Sequence, residues 1–233
     1  MTVPGTADQF RRLQTASAPT GDTLPPSSDV ALVHVCRHGL VDNPGNVLYS
    51  RLPGFHLSES GRAMAETLGD YFADVPVAHL RTSPLERAQE TMAPIAARHP
   101  DVPVVVDWRL IEADSRMQGQ VKGPASLGLA RPSNWRLYLT PAGWGEPYDH
   151  MARRLLEAIA DAGVTVGPAG QAVIVSHQAP IWAARRMAEH KFLFNIPAIR
   201  QCALASVTTF SVGPDGTVRF VAYDDVIGSA TAA

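Results

Sequence analysis

The chain has 233 residues, 45% of them hydrophobic, and a formal net charge of −2. That suffices for a single α/β domain with a sizeable core. The near-neutral balance argues against the strongly basic face of a nucleic-acid binder, and no apolar run approaches a membrane span, so neither nucleic acid nor membrane is an expected partner.

Residues 1–28 lack an apolar signal core: Arg11-Arg12 is followed by Leu-Gln-Thr-Ala, which supports neither a Sec nor a twin-arginine signal. The stretch Thr15 to Asp29 is rich in Pro, Ser, Thr and Gly and reads as a flexible leader over 1–28, with the folded domain over 29–233 and a cytoplasmic location expected. The run Val30-Ala-Leu-Val-His-Val-Cys36 predicts a strand that delivers Arg37-His38-Gly39 to its carboxyl end, where open α/β sheets place ligands. An arginine beside a histidine suits a phosphoryl group, the cation holding oxygens while the imidazole attacks phosphorus. His34, Cys36 and His38 alternate on one side of this strand, but three ligands so close together cannot easily wrap an ion, and no metal is expected.

Ser58 can cap a helix whose Met64, Ala65, Leu68 and Tyr71 form one face. Val77–Thr82 predicts a second strand. Ser83-Pro84 with Glu86 three residues after the serine spells a capping box, and Leu85, Ala88, Met92 and Ile95 give the helix that follows a buried face. Arg87 lies one turn into that helix, where anions collect; pairing with Glu86 or Glu90 on a solvated face is the alternative. Val102–Trp108 is strand-like and leads into Leu110-Ile-Glu112.

From Ser115 to Gly145 there is no acidic residue, while Arg116, Lys122, Arg131 and Arg136 are present among several Gly and Pro. This reads as an irregular, lid-like insertion over 113–146 that draws in an anion through Lys122 and Arg131; an ordinary solvated loop is the alternative. Pro147 opens a long helix with Tyr148, Met151, Leu155, Ile159 and Ala162 on one face. Val173-Ile-Val-Ser-His177 is a further strand ending in histidine, with Gln178-Ala-Pro180 starting a helix. Leu204–Val212 and Thr217–Tyr223 flank the turn Gly213-Pro-Asp-Gly216 and should pair antiparallel. Cys36 and Cys202 sit in apolar runs and read as buried free thiols. The elements imply an α/β fold, a three-layer α/β/α sandwich with a mostly parallel sheet and an antiparallel C-terminal hairpin.

Arg37-His38-Gly39, Ser83-Pro84-x-x-Arg87-Ala88-x-x-Thr91, Leu110-x-Glu112 and Ser176-His177, in that order from about Val30 to about Asp224, resemble the histidine phosphatase superfamily, the phosphoglycerate mutase-like group. Within it, the segment from Asn43 to Ser58 and Trp144-Gly-Glu-Pro-Tyr148 resemble an actinobacterial branch. The resemblance implies a metal- and cofactor-free phosphomonoesterase acting on a small phosphorylated metabolite. His38 would be the nucleophile, Arg37, Arg87 and His177 the phosphoryl clamp, and Glu112 the proton donor. Leu40 stands where a glutamate or glutamine commonly follows Arg-His-Gly, with Asp42 or Asn43 placed to restore the polarity, and Gln178 replaces the usual glycine; Asn43 and Gln178 are further candidates for substrate contact. A mutase or a phosphate-binding module without turnover are the alternatives, and a homodimer is left open.

Overall fold

The computed structural model describes residues 29–121, 145–193 and 200–231. The expected leader over 1–28, and Lys122, Arg131 and most of the insertion read over 113–146, lie outside them.

Among the described residues six strands form one sheet: β1 (Ala31–Arg37), β2 (Val77–Thr82), β3 (Val104–Val106), β4 (Gln171–Ser176), β5 (Val207–Val212) and β6 (Val218–Asp224). Their order is β3-β2-β4-β1-β5-β6. β1 pairs parallel with β4, and β2 parallel with both β3 and β4, whereas β5 runs antiparallel to β1 and to β6. The helices are α1 (Glu59–Phe72), α2 (Glu86–Arg98), α3 (Tyr148–Val166), α4 (Gln178–Ala188) and α5 (Val226–Thr231).

Strand periodicity sorts the core onto two faces. Val33, Val35, Ala172 and Ile174 pack with Leu155, Ile159 and Ile181 of α3 and α4. Their neighbours Cys36, Val173 and Val175 pack with Leu68, Phe72, Met92 and Ile95 of α1 and α2. β4 is thus buried on both sides, as a central strand of a covered parallel sheet must be. Each fully buried Leu or Ile contributes roughly 1.5–3 kcal/mol by leaving water, so truncating Ile159 to Ala is expected to cost about 2–5 kcal/mol.

The helix boundaries follow local chemistry. Ser58 caps α1, its hydroxyl accepting from the Gly61 amide at 3.0 Å. The reading around Ser83 needs correction: α2 begins at Glu86 after Leu85, with no side-chain cap. Glu86 accepts instead from the Gly54 amide at 3.1 Å. The strand expected over Val102–Trp108 contracts to three exposed valines at the sheet edge, followed by a 3₁₀ turn over Trp108–Leu110. An edge strand has one pairing partner and one covered face at best, so β-branched composition alone does not extend it. The strand expected from Leu204 begins at Val207, because Ser206 N–H turns back to the Ala203 carbonyl. The Gly213–Gly216 turn forms as expected, with Gly216 at a φ of 79° closing it. Both cysteines are free and buried.

Candidate active site

Register brings the site together. Arg37 lies opposite Ser176 in the β1–β4 ladder, and the His38 amide donates to the Ser176 carbonyl at 3.2 Å. The Ser83 amide donates to the Val175 carbonyl at 3.0 Å. Three parallel strands therefore end level with one another, and the residues that follow them, His38, Ser83 and His177, meet at their carboxyl ends. The His38 and His177 rings are 5.1 Å apart between centroids.

His38 is oriented by its own loop. Its Nδ1 lies 2.7 Å from the Gly39 carbonyl, an acceptor only, so Nδ1 carries the proton and Nε2 keeps a lone pair. Glycine at position 39 has a packing reason: a Cβ there would sit 2.5 Å from the Gly61 carbonyl oxygen of α1. The Gly39 amide donates to Thr91 Oγ1 at 3.1 Å, tying the loop to α2. Burial, then the Arg87 and Arg37 charges, hold the His38 imidazole well below its ordinary pKa, against the opposing Gly39 bond. At neutral pH it is unprotonated at Nε2.

His177 is fully buried and likewise held neutral, first by burial and then by repulsion from His38, Arg87, Arg154 and Arg37. Its Nε2 faces Ser83 Oγ at 2.7 Å, while Nδ1 is buried with no partner among the described residues. Ser83, read from the sequence as a helix cap, serves as the partner of this histidine.

The guanidinium of Arg87 is 0% exposed. It pairs with neither Glu86 nor Glu90. One nitrogen donates to the Ser50 carbonyl at 2.6 Å and the group lies over the Tyr49 ring at 4.7 Å, leaving Nε and Nη1 buried without a partner among the described residues. Arg37 donates from Nη1 to the Cys202 carbonyl at 2.7 Å and also keeps a buried Nε without a partner among the described residues. Buried cationic donors without acceptors are costly; here they surround an imidazole, as an anion site requires. Glu112 lies close enough to act on the Arg87 and Tyr49 ionisations, and its Oε1 accepts from the Ala113 amide at 2.8 Å.

Of the remaining candidates, Gln178 donates to the same Cys202 carbonyl that Arg37 uses, at 3.4 Å, and accepts from Arg200 at 3.3 Å. Asn43 spends both ends of its amide locally: it donates to the Val47 carbonyl and accepts from the Val47 amide, each at 2.9 Å. His34 is engaged at both nitrogens, by Thr209 at 3.0 Å and Gln171 at 2.9 Å, and among the described residues there is no cluster with metal-ligand composition. No site role for Tyr49, Ser50 or Arg200 follows from the sequence, although Tyr49 and Ser50 lie in the branch-like segment from Asn43 to Ser58.

Two buried arginine side chains and two neutral, buried imidazoles gathered at the carboxyl ends of the parallel strands define a class. The chain belongs to the histidine phosphatase superfamily, branch 1, whose model matches residues 33–225. An uncharacterised protein of Mycobacterium tuberculosis is 45% identical over 192 residues, covering 81% of this chain and 94% of that protein. A 2,3-bisphosphoglycerate-dependent phosphoglycerate mutase of Gloeobacter violaceus is 36% identical over 160 residues, covering 63% of this chain and 70% of the mutase. The solved structure of a mycobacterial glucosyl-3-phosphoglycerate phosphatase superposes with a TM-score of 0.68 at 24% identity, over 84% of this chain and 97% of that one. No helix among the described residues is long and apolar enough to cross a membrane.

Proposed function

We propose that the protein is a phosphomonoesterase that hydrolyses a small phosphorylated metabolite through a phosphohistidine at His38. The observation that carries this reading is the His38 ring itself: Nδ1 is fixed on the Gly39 carbonyl, which leaves Nε2 as the nucleophile among buried arginines.

In the first step the Nε2 lone pair attacks phosphorus and the ester P–O bond breaks. Glu112 gives its proton to the departing alkoxide, releasing an alcohol. In the second step water attacks the phosphohistidine, Glu112 takes the water proton, the N–P bond breaks and phosphate leaves. Arg37 and Arg87 direct their spare N–H groups at the phosphoryl oxygens, and His177 supplies a further donor from Nδ1. Fixed donors of this kind need no reorganisation as charge moves in the transition state. Splitting one displacement into two avoids a termolecular arrangement of ester, acid and water.

The likeness to a phosphoglycerate mutase favours a second reading, in which the phosphoryl group returns to an organic acceptor instead of water. Two incubations separate the readings: p-nitrophenyl phosphate, and 3-phosphoglycerate with a bisphosphate primer. Ester hydrolysis with no isomerisation is the expected result. Isomerisation faster than hydrolysis assigns the mutase, and inertness towards both refutes turnover by either route.

A further inference from the structure

The Trp-Gly-Glu-Pro-Tyr segment contains a buried carboxylate with no part in the chemistry above. The Glu146 side chain is 6% exposed and sits between two arginines from distant parts of the chain. Its Oε1 accepts from Arg154 Nε at 2.7 Å and is 2.7 Å from His150 Nδ1; its Oε2 accepts from Arg154 Nη2 at 2.9 Å and Arg51 Nη2 at 2.8 Å. A bidentate arginine pair of this kind fixes direction as well as distance.

Both arginines also reach one peptide group, Arg51 through a second nitrogen and Arg154 through the Nη2 already bonded to Glu146. Arg51 Nε donates to the Glu112 carbonyl at 2.8 Å, and Arg154 Nη2 approaches the same oxygen at 3.4 Å. Arg154 Nη1 also donates to the Arg109 carbonyl at 2.6 Å, so it grips the chain before and at Glu112. On the far side Ser50 Oγ donates to the Ala113 carbonyl at 2.5 Å, while the Ser50 carbonyl receives Arg87. Ser50 holds a φ of 39°, in the left-handed region that is strained for a side chain of this kind. The Glu112 carboxylate, in turn, is bonded to the Ala113 amide. Any shift of the 112–113 peptide therefore moves that carboxyl relative to Arg87.

We propose that Glu146 is a positioning residue: through Arg51 and Arg154 it fixes the height of the Glu112 carboxyl over the phosphoryl site, leaving the arginine clamp itself to other contacts. The inference rests on the reading of Glu112 as proton donor. Its consequence is selective. A displaced acid slows esters whose leaving group needs a proton, and leaves esters with a good leaving group nearly unchanged.

The test compares wild type, Glu112→Gln and Glu146→Gln on p-nitrophenyl phosphate and on glycerol 1-phosphate, with inorganic phosphate affinity measured alongside. For Glu146→Gln the expected result is a kcat loss of about 10²-fold on glycerol 1-phosphate and less than about 5-fold on the nitrophenyl ester, with phosphate affinity unchanged. Glu112→Gln shows the same bias, and the double variant is no more biased than Glu112→Gln alone. Equal losses on both esters for Glu146→Gln, beside a biased Glu112→Gln, overturn the positioning role and leave the acid assignment standing. An unbiased Glu112→Gln overturns the acid assignment, and this inference with it. Should Glu146→Gln not fold, Glu146→Asp gives the same reading, because it draws the carboxylate back from Arg51 and Arg154 while leaving both arginines and the buried charge in place. Bias in that variant upholds the proposal, and its absence refutes it.

Discussion

Replacing Arg87 with Met separates catalytic from structural value at one position. Among the described residues the Arg87 guanidinium makes a single hydrogen bond, to the Ser50 carbonyl, and two of its nitrogens are buried without acceptors. Burial lowers its affinity for a proton more than Glu112, Tyr49 and Glu86 raise it, so the net environment opposes the charge. Methionine fills similar volume without a charge to bury. The lost Ser50 bond costs about 1–3 kcal/mol and the relieved desolvation offsets much of it, so global stability is expected to stay within about 2 kcal/mol of wild type. Activity behaves differently. The two spare N–H groups are worth about 1.5–3 kcal/mol each as charge-assisted bonds to a phosphoryl oxygen, or about 3–6 kcal/mol together. That corresponds to a fall of roughly 10²–10⁴-fold in kcat/KM. The assay is p-nitrophenyl phosphate turnover beside thermal unfolding with and without phosphate. Phosphate at a hundredfold excess over its Kd stabilises wild type by about 2.7 kcal/mol and should leave Arg87→Met unmoved. A variant within tenfold of wild-type activity, or one that loses activity only because it unfolds, refutes the reasoning.

Acid should weaken the ligand-free protein before its carboxylates titrate. His34, pushed down to about 4 chiefly by burial, and His38 and His177, held well below 6.5, are neutral when folded and protonate freely when unfolded. Their depressed folded pKa values mean that stability is complete above the unfolded value and is lost as pH falls through it. Between about pH 6 and 4 the slope should approach 1.4 kcal/mol per pH unit for each of the three. Urea unfolding across that range checks it, and a flat profile contradicts the buried neutral assignments. Ser83→Ala removes the partner of His177 Nε2 and strands a buried nitrogen, for an expected loss of about 1–3 kcal/mol in stability. The tautomer is then unfixed, and activity should fall further than stability explains. Activity equal to wild type would show that Ser83 merely fills space.

The strands that carry the two histidines were legible because each apolar run ends where its motif begins, and the helix after Pro147 was legible from five apolar positions at helical spacing. What escaped has physical reasons. Ser83 spells a helix cap locally and its hydroxyl still accepts from the Leu85 amide at 3.4 Å, but its contact with a buried histidine 94 residues away has no local signature. The Arg87 partner is a backbone carbonyl of Ser50, which no residue type announces. Arg51 meets Glu146 across 95 residues, with nothing periodic to link them. Val104–Val106 has strand composition, yet its edge position decides its length. Asn43, in a loop rich in Pro and Gly, holds both ends of its amide on Val47, a local turn contact that its spacing from His38 does not announce.

The central claim is a covalent bond from His38 Nε2 to phosphorus. Rapid acid-free quenching during turnover of a phosphate ester, followed by mapping of the labelled peptide, tests it most directly. An acid-labile, base-stable phosphoryl group on His38 Nε2, formed at least as fast as turnover and missing in His38→Ala, is the predicted result. Turnover with no such intermediate, or label on Nδ1 or on His177, would contradict the account.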